Sequence, residues 1–273
     1  GGLMKKILLS MLVVLMATGC SFTLNGKTEE EKKNDVVEEK ETYESLSIDD
    51  ATVTDLYKKI NHVSNDYSFN FIGAFYQTDN MSVDKMDNKL KLFLALNNAT
   101  TTTDELEQTL FVSESSLKTA MTDLFGNINY ENESLSATGG CGFGYAQYDA
   151  NNKNYSIGVA CGGTGFPYYK TKLIQARKYS NKIEIYEKHI AVKPTWVKEN
   201  NLDVEKDLIY KYFKLSNDNC NGYECLIGTN LISENVTDLN TNLDQYMNQA
   251  DTYKYTFQLE NGHYYFYSVE KVK

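Results

Sequence analysis

The chain has 273 residues, a net charge of −10 at pH 7, 21 tyrosines, 2 prolines and 5 cysteines. An acidic chain repels phosphate, which excludes nucleic-acid binding through a broad basic face. The residues after position 44 suffice for one large domain or two small ones with a proper core, and a single domain is the expectation.

From Met4 the chain opens on Lys5 and Lys6 and runs apolar from Ile7 to Met16, interrupted only by Ser10. It closes on Ala17-Thr18-Gly19-Cys20. A helix needs about 20 apolar residues to cross a bilayer core, and this run is roughly half that, so it reads as an export signal that is removed. The closing residues resemble the bacterial lipoprotein signal, in which small residues precede a cysteine that is acylated and becomes the new first residue. Ala17 stands where leucine is commonest, and Ala-Thr-Gly also resembles an ordinary secretory cleavage site, which leaves Cys20 as a free terminal thiol. The lipoprotein resemblance implies lipidation of Cys20 and a cell-membrane, extracytoplasmic location. It also implies the membrane as a partner through a two-chain anchor that holds where one chain exchanges. Ser21 to Glu44 carries eight carboxylates against four lysines and few large apolar residues, a composition that cannot offset the entropy of ordering. The expected division is therefore 1–19 export signal, 20–46 lipidated cysteine and flexible acidic stalk, and 47–273 one α+β domain.

Val53, Leu56, Tyr57, Ile60 and Val63 recur at helical spacing behind Asp49 and Asp50 and predict a first helix. Tyr67 to Tyr76 is apolar without a period and leaves helix and strand both open. Ser82 as N-cap, followed by Val83, Met86, Leu90, Phe93, Leu94 and Asn97, predicts a second helix ending near Asn98. Thr102 with Glu105 reads as a capping box for a short helix over Asp104 to Leu110. Ser113 caps another, with Leu117, Ala120, Met121, Leu124 and Phe125 on one face, Val112 stapling onto Leu117, and Gly126 as terminator. Two short helices in succession imitate a DNA-reading helix-turn-helix, which an exported acidic chain makes a poor reading.

Beyond Gly126 the pattern alternates, predicting a sheet. Tyr168 to Tyr179 and Lys182 to Val192 pair about Ser180-Asn181, which sets Arg177 against Glu184 and Ala176 against Ile185. Lys206 to Leu215 reads as a strand, and Cys220 to Cys225 as a turn returning into Leu226 to Ile232. Thr237 to Gln249 has helix-like spacing. The last hairpin turns at Asn261-Gly262, a pair suited to the positive φ of a type I′ turn. It pairs Glu260 with His263, Leu259 with Tyr264 and Phe257 with Phe266. Tyr255, Phe257, Leu259, Tyr264 and Phe266 then share a core face, while Thr256, Gln258, Tyr265 and Tyr267 share the other; Tyr265 and Tyr267 are the candidate ligand-facing side chains. The fold class is α+β: N-terminal helices packed on a twisted antiparallel sheet ending in a long β-hairpin. That order resembles the cystatin-like or NTF2-like arrangement, and the Leu124-Phe125-Gly126 helix end with this tail resembles small exported lipoproteins of unknown function.

Beyond Cys20, four cysteines in an oxidising compartment, Cys141, Cys161, Cys220 and Cys225, read as two disulfides. A turn centred on Asn151 makes the numbers of opposed residues sum to 302, which sets Cys141 directly against Cys161. Zinc fits poorly, because no C-x-x-C spacing occurs and His62, His189 and His263 lie far in sequence from any cysteine. The glycine clusters Gly139 to Gly144 and Gly162 to Gly165 lack the Lys-Ser or Lys-Thr ending of a phosphate loop, so no cofactor is implied. Gly140-Cys141-Gly142-Phe143 loosely resembles the nucleophile motif of NlpC/P60 cell-wall peptidases, with His189 as base, but lacks the Asp before the cysteine and the Ser after it. Asp203, Glu205 and Asp207 allow a glycosidase-like carboxylate pair or a solvated surface cluster. The abundant tyrosines fit sugar platforms, or else strand propensity and codon bias. The expectation is a lipid-tethered lipoprotein that binds an envelope protein, peptide or glycan or has a structural role, with no catalytic residue assigned. The alternative is a cell-envelope hydrolase.

Overall fold

A computed structural model describes residues 41–60, 79–104, 109–136, 146–157, 168–198, 205–213, 231–236 and 243–272. The fold mixes helices with antiparallel sheets. In chain order the elements are β1 (Glu44–Leu46), α1 (Ala51–Ile60), β2 (Asn80–Ser82), α2 (Asn88–Asn98), β3 (Thr102–Asp104), β4 (Thr109–Ser113) and α3 (Glu114–Phe125). Then follow β5 (Ala146–Asp149), β6 (Asn154–Ile157), β7 (Tyr168–Lys178), β8 (Lys182–Lys198), β9 (Glu205–Phe213), β10 (Leu231–Val236), α4 (Leu243–Asn248), β11 (Thr252–Glu260) and β12 (His263–Val272). Short strands therefore alternate with the early helices and one helix comes late, so the helices do not form the N-terminal block that the sequence suggests.

The main sheet has the order β1-β7-β8-β11-β12-β2, with β9 pairing both β8 and β10. A second sheet has the order β3-β4-β6-β5. The long strand β8 is the spine: its first half lies between β7 and β11, and its second half pairs with β9. One core cluster joins Val53, Leu56 and Ile60 of α1, Leu90, Phe93 and Leu94 of α2, and Leu117, Met121, Leu124 and Phe125 of α3 to the sheet residues Ile183, Ile185, Tyr255, Phe257, Phe266 and Val269. Val112 and Tyr155 carry the second sheet into the same core.

Capping chemistry explains the helix starts. The amide groups of Thr52 and Val53 donate to the Asp50 carboxylate at 2.8 and 3.3 Å, and the Ser116 amide to the Ser113 hydroxyl at 3.1 Å. Gly126 stops α3 at φ +73°, a conformation that suits glycine. Val112 and Leu117 are both fully buried, as a hydrophobic staple requires. The second helix starts later than expected: Ser82 pairs with Ser268 at the sheet edge, and the cap is Asp87, whose carboxylate accepts from the Leu90 amide at 2.7 Å. Both residues carry cap oxygens, and sheet pairing decides between them.

Two further expectations are corrected. The capping box at Thr102 does not open a helix; β3 pairs with β4, Thr102 opposite Phe111 and Asp104 opposite Thr109. The β-branched run Thr101 to Thr103 prefers a pleated surface, and with this helix gone the helix-turn-helix imitation disappears. The β5–β6 hairpin is one residue out of the expected register: Ala146 faces Ile157, Tyr148 faces Tyr155 and Asp149 faces Asn154. Its loop spans Ala150 to Lys153, with Lys153 at φ +51° and the Asp149 carboxylate accepting from the Asn151 and Asn152 amides. The extra loop residue turns β5 over relative to β6, so Ala146 now shares the buried face with Tyr155.

Other pairings match the expectation. Arg177 faces Glu184, Ala176 faces Ile185, and the tail hairpin pairs Glu260 with His263, Leu259 with Tyr264 and Phe257 with Phe266. Asn261 and Gly262 have φ of +52° and +83°, as a type I′ turn demands. A bulge then follows: Thr256 faces Ser268, which leaves Tyr267 as the extra residue. Val63, Tyr67 to Tyr76 and the Cys220 to Cys225 turn lie outside the described residues.

Candidate functional site

β8 brings polar chemistry to both faces of the sheet. On the core face, the alternation that buries Ile183 and Ile185 continues into Glu187 and His189, each 1% exposed. The Glu187 carboxylate accepts hydrogen bonds from the Tyr57 hydroxyl of α1 and, at 2.8 Å, from the Tyr255 hydroxyl of β11. Its Oε1 lies 3.4 Å from His189 Nδ1. The His189 ring stacks on Tyr253 at 4.4 Å and meets Tyr169 edge-on at 5.9 Å. Burial pushes the imidazole below its ordinary value of 6.5, against the opposing pull of the Glu187 carboxylate. Burial also raises the Tyr169 and Tyr253 hydroxyls above their usual range. The cluster is an internal polar network that ties α1, β7, β8 and β11 together. His189, considered above as the base of a cysteine hydrolase, is buried within the core among the described residues, walled by the Tyr169 and Tyr253 rings.

On the other face the two halves of β8 differ. Ile190 and Val192 pack beneath Met247 and Ala250 at α4, and Lys172 Nζ reaches Asp244 at 2.5 Å. Toward the Ser180-Asn181 turn lies the candidate site. The Arg177 guanidinium sits between two rings, 4.7 Å from the Tyr43 centroid and 4.6 Å from that of Tyr186. Its Nη2 donates to Gln175 Oε1 at 3.1 Å, while buried Nε has no hydrogen-bond partner among the described residues. Beside it, Glu184 is 4% exposed. It accepts from the Tyr186 and Tyr179 hydroxyls at 2.7 and 3.0 Å and lies 3.2 Å from Lys182 Nζ and 3.5 Å from Lys254 Nζ. Burial pushes the Glu184 carboxyl up, but the Tyr186 hydroxyl and the two ammonium groups outweigh it and leave the acid below its ordinary value. Lys254 pairs in turn with Glu270, and Lys182 with Glu41 at 2.8 Å.

The result is a half-buried aromatic and ionic platform, with Tyr43 as its exposed lid at 44%. Its acids and cations neutralise one another, and its rings and hydroxyls present both apolar faces and hydrogen-bonding edges. Such a surface can hold a polar chain ligand. A groove of about 410 Å³ between the end of α2 and α3, lined by Asn98, Thr100, Ser115, Ser116, Thr119 and Asp123, is a lesser candidate. Several of its donors are spent internally: Ser116 Oγ on Thr100 O, Thr119 Oγ1 on Ser115 O, and Asn98 Nδ2 on Lys59 O and Leu94 O.

The residues singled out from sequence fall differently. Tyr265 and Tyr267 do not form a shared ligand-facing pair: the bulge separates them, and only Tyr267, 47% exposed, is open. Tyr265 is half-buried, its ring 4.6 Å from that of His263 and close against Gly126. His263 approaches Asp123 at the end of α3. Cys20, Cys141, Cys161, Cys220, Cys225, His62 and Asp203 lie outside the described residues, and of Glu205 and Asp207 only the backbone, in β9, is described. The register that set Cys141 against Cys161 is the one corrected above. Among the described residues, no three His, Cys, Asp or Glu side chains converge as a metal site. Likewise no described helix is long and apolar enough to cross a membrane.

Sequence reading found the Arg177–Glu184 opposition but not the site around it. Tyr43 lay in the segment read as stalk. The core-face network had a signal, since Glu187 and His189 share the parity of Ile183 and Ile185.

Neither the curated proteins nor the solved structures include a match to the chain. Residues 4–55, which take in the segment read as leader and stalk together with β1 and the first half of α1, match a family of unknown function, DUF6520.

Proposed function

We propose that this chain is a lipoprotein tethered through Cys20 to the extracytoplasmic face of the cell membrane, with a binding or envelope-structural role. The observation that carries the reading is the Met4 to Cys20 leader, with its basic flank, short apolar run and small residues before the cysteine. The half-buried platform of Tyr43, Arg177, Tyr179, Glu184 and Tyr186 supports binding as the task, with an envelope protein, peptide or glycan as partner. Three helices packed on one face of an antiparallel sheet with a terminal hairpin support a cystatin-like or NTF2-like arrangement. Export would also oxidise Cys141, Cys161, Cys220 and Cys225 into two disulfides, to be assigned by peptide mapping of the unreduced protein. The test of the anchor is metabolic labelling with a fatty-acid analogue: the chain takes up label and Cys20→Ser does not. Equal labelling of both sinks the proposal.

A further inference from the structure

The segment read as the end of a flexible stalk is built into the fold. Glu44, Ser45 and Leu46 of β1 pair with Lys178, Arg177 and Ala176 of β7. Before them, the Tyr43 ring lies over Arg177 and 5.6 Å from the Tyr179 ring, and Glu41 is ion-paired to Lys182. The compact unit that holds the strap spans Glu41–Lys273. Ladder bonds, a cation over a ring and an ion pair hold six consecutive residues as a strap.

Direction follows from the register. β1 runs antiparallel to β7, so the chain traced backward from β1 heads toward the Ser180-Asn181 turn. The Leu259 amide donates to Asn181 O at 2.8 Å, which sets the Asn261-Gly262 turn beside it at the same end of the sheet. From Lys182, at this end, β8 runs to Lys198, a distance of about 53 Å at the strand rise. The strap thus holds Glu41 at one extreme of the longest element. Ser180, Asn181, Asn261 and Gly262 at this end are exposed and polar, fit to lie against lipid headgroups without inserting. The stretch that matches the family, residues 4–55, spans leader and strap together.

We infer that the strap orients the body on its membrane: the end bearing the 180–181 and 261–262 turns lies nearer the lipid surface, and the far end of β8 with β9 and β10 is the outermost part. This rests on the lipoprotein reading above. A random-coil connection of the 21 residues from Cys20 to Glu41 would have a root-mean-square span on the order of 30 Å, less than the reach of β8, so the two ends would keep different mean heights.

The test uses the full lipidated chain in phosphatidylglycerol–phosphatidylcholine vesicles that carry a headgroup-linked acceptor, with a fluorescent amino acid placed at Asn261 or at Lys198. Energy transfer severalfold stronger from position 261 is expected. In the double variant Glu41→Lys, Tyr43→Ala, whose strap is released, the contrast between the two positions shrinks. Equal or stronger transfer from position 198 in a chain that floats with the vesicles overturns the orientation alone. A chain that does not float with the vesicles overturns the tether reading, and the orientation with it.

Discussion

Replacing Phe266 with alanine should be among the most damaging single changes in the tail hairpin. The side chain is 2% exposed. Its ring meets Phe257 of β11 at 5.6 Å and Phe125 of α3 at 6.2 Å, both near 70°, the edge-to-face geometry that adds to burial. Truncating a core phenylalanine costs about 3–5 kcal/mol, and loss of contact with α3 on one side and β11 on the other favours the upper part of that range. In a chain of this size each kcal/mol lowers the melting temperature by about 2–4 °C, so a fall on the order of 10 °C is expected. Tyr267→Ala is the control: the side chain is 47% exposed on a bulge and should cost about 0.5 kcal/mol or less. Urea unfolding of the leaderless chain, followed by tyrosine and tryptophan fluorescence, reads both. Equal shifts in midpoint would refute the assignment of faces along β12.

Arg177→Ala removes the cation from between Tyr43 and Tyr186; it should cost about 1–2 kcal/mol and speed limited proteolysis within residues 41–46, whereas unchanged cleavage would show that the strap is held without it. Gly126→Ala should cost about 1–3 kcal/mol in thermal melts, because φ +73° with ψ −149° disfavours any side chain; a neutral result would mean that α3 ends differently. His189 is held below 6.5 by burial, so folded protein binds fewer protons than unfolded protein beneath that value. Its contribution is complete above the ordinary imidazole range and is lost on acidification. A stability profile between about pH 7 and pH 5 should slope accordingly, and His189→Gln should flatten it. Glu184, held below 4.5, acts in a lower window, with its share lost only as pH falls beneath that value.

What the sequence determined by itself was what local chemistry controls. Asp50 and Ser113 had to cap, Gly126 had to stop a helix, and Asn261-Gly262 had to turn. Each of these is settled within a few residues by hydrogen-bonding reach or by permitted φ, and short loops then carry register outward to Phe257–Phe266 and Arg177–Glu184. The tertiary structure alone decided the places where two local solutions compete. Ser82 and Asp87 could each cap α2, and pairing with β12 took Ser82 into the sheet. Thr102 could open a helix or extend a strand, and β4 was there to pair with it. Asp149 lengthened a loop by one residue and so turned β5 over relative to β6. Apart from the Arg177–Glu184 opposition, the candidate site lies in this second class. Tyr43 has no fate in a polar, acidic segment until β7 offers an edge and Arg177 a cation, since the free energy that orders it comes from residues more than a hundred positions away.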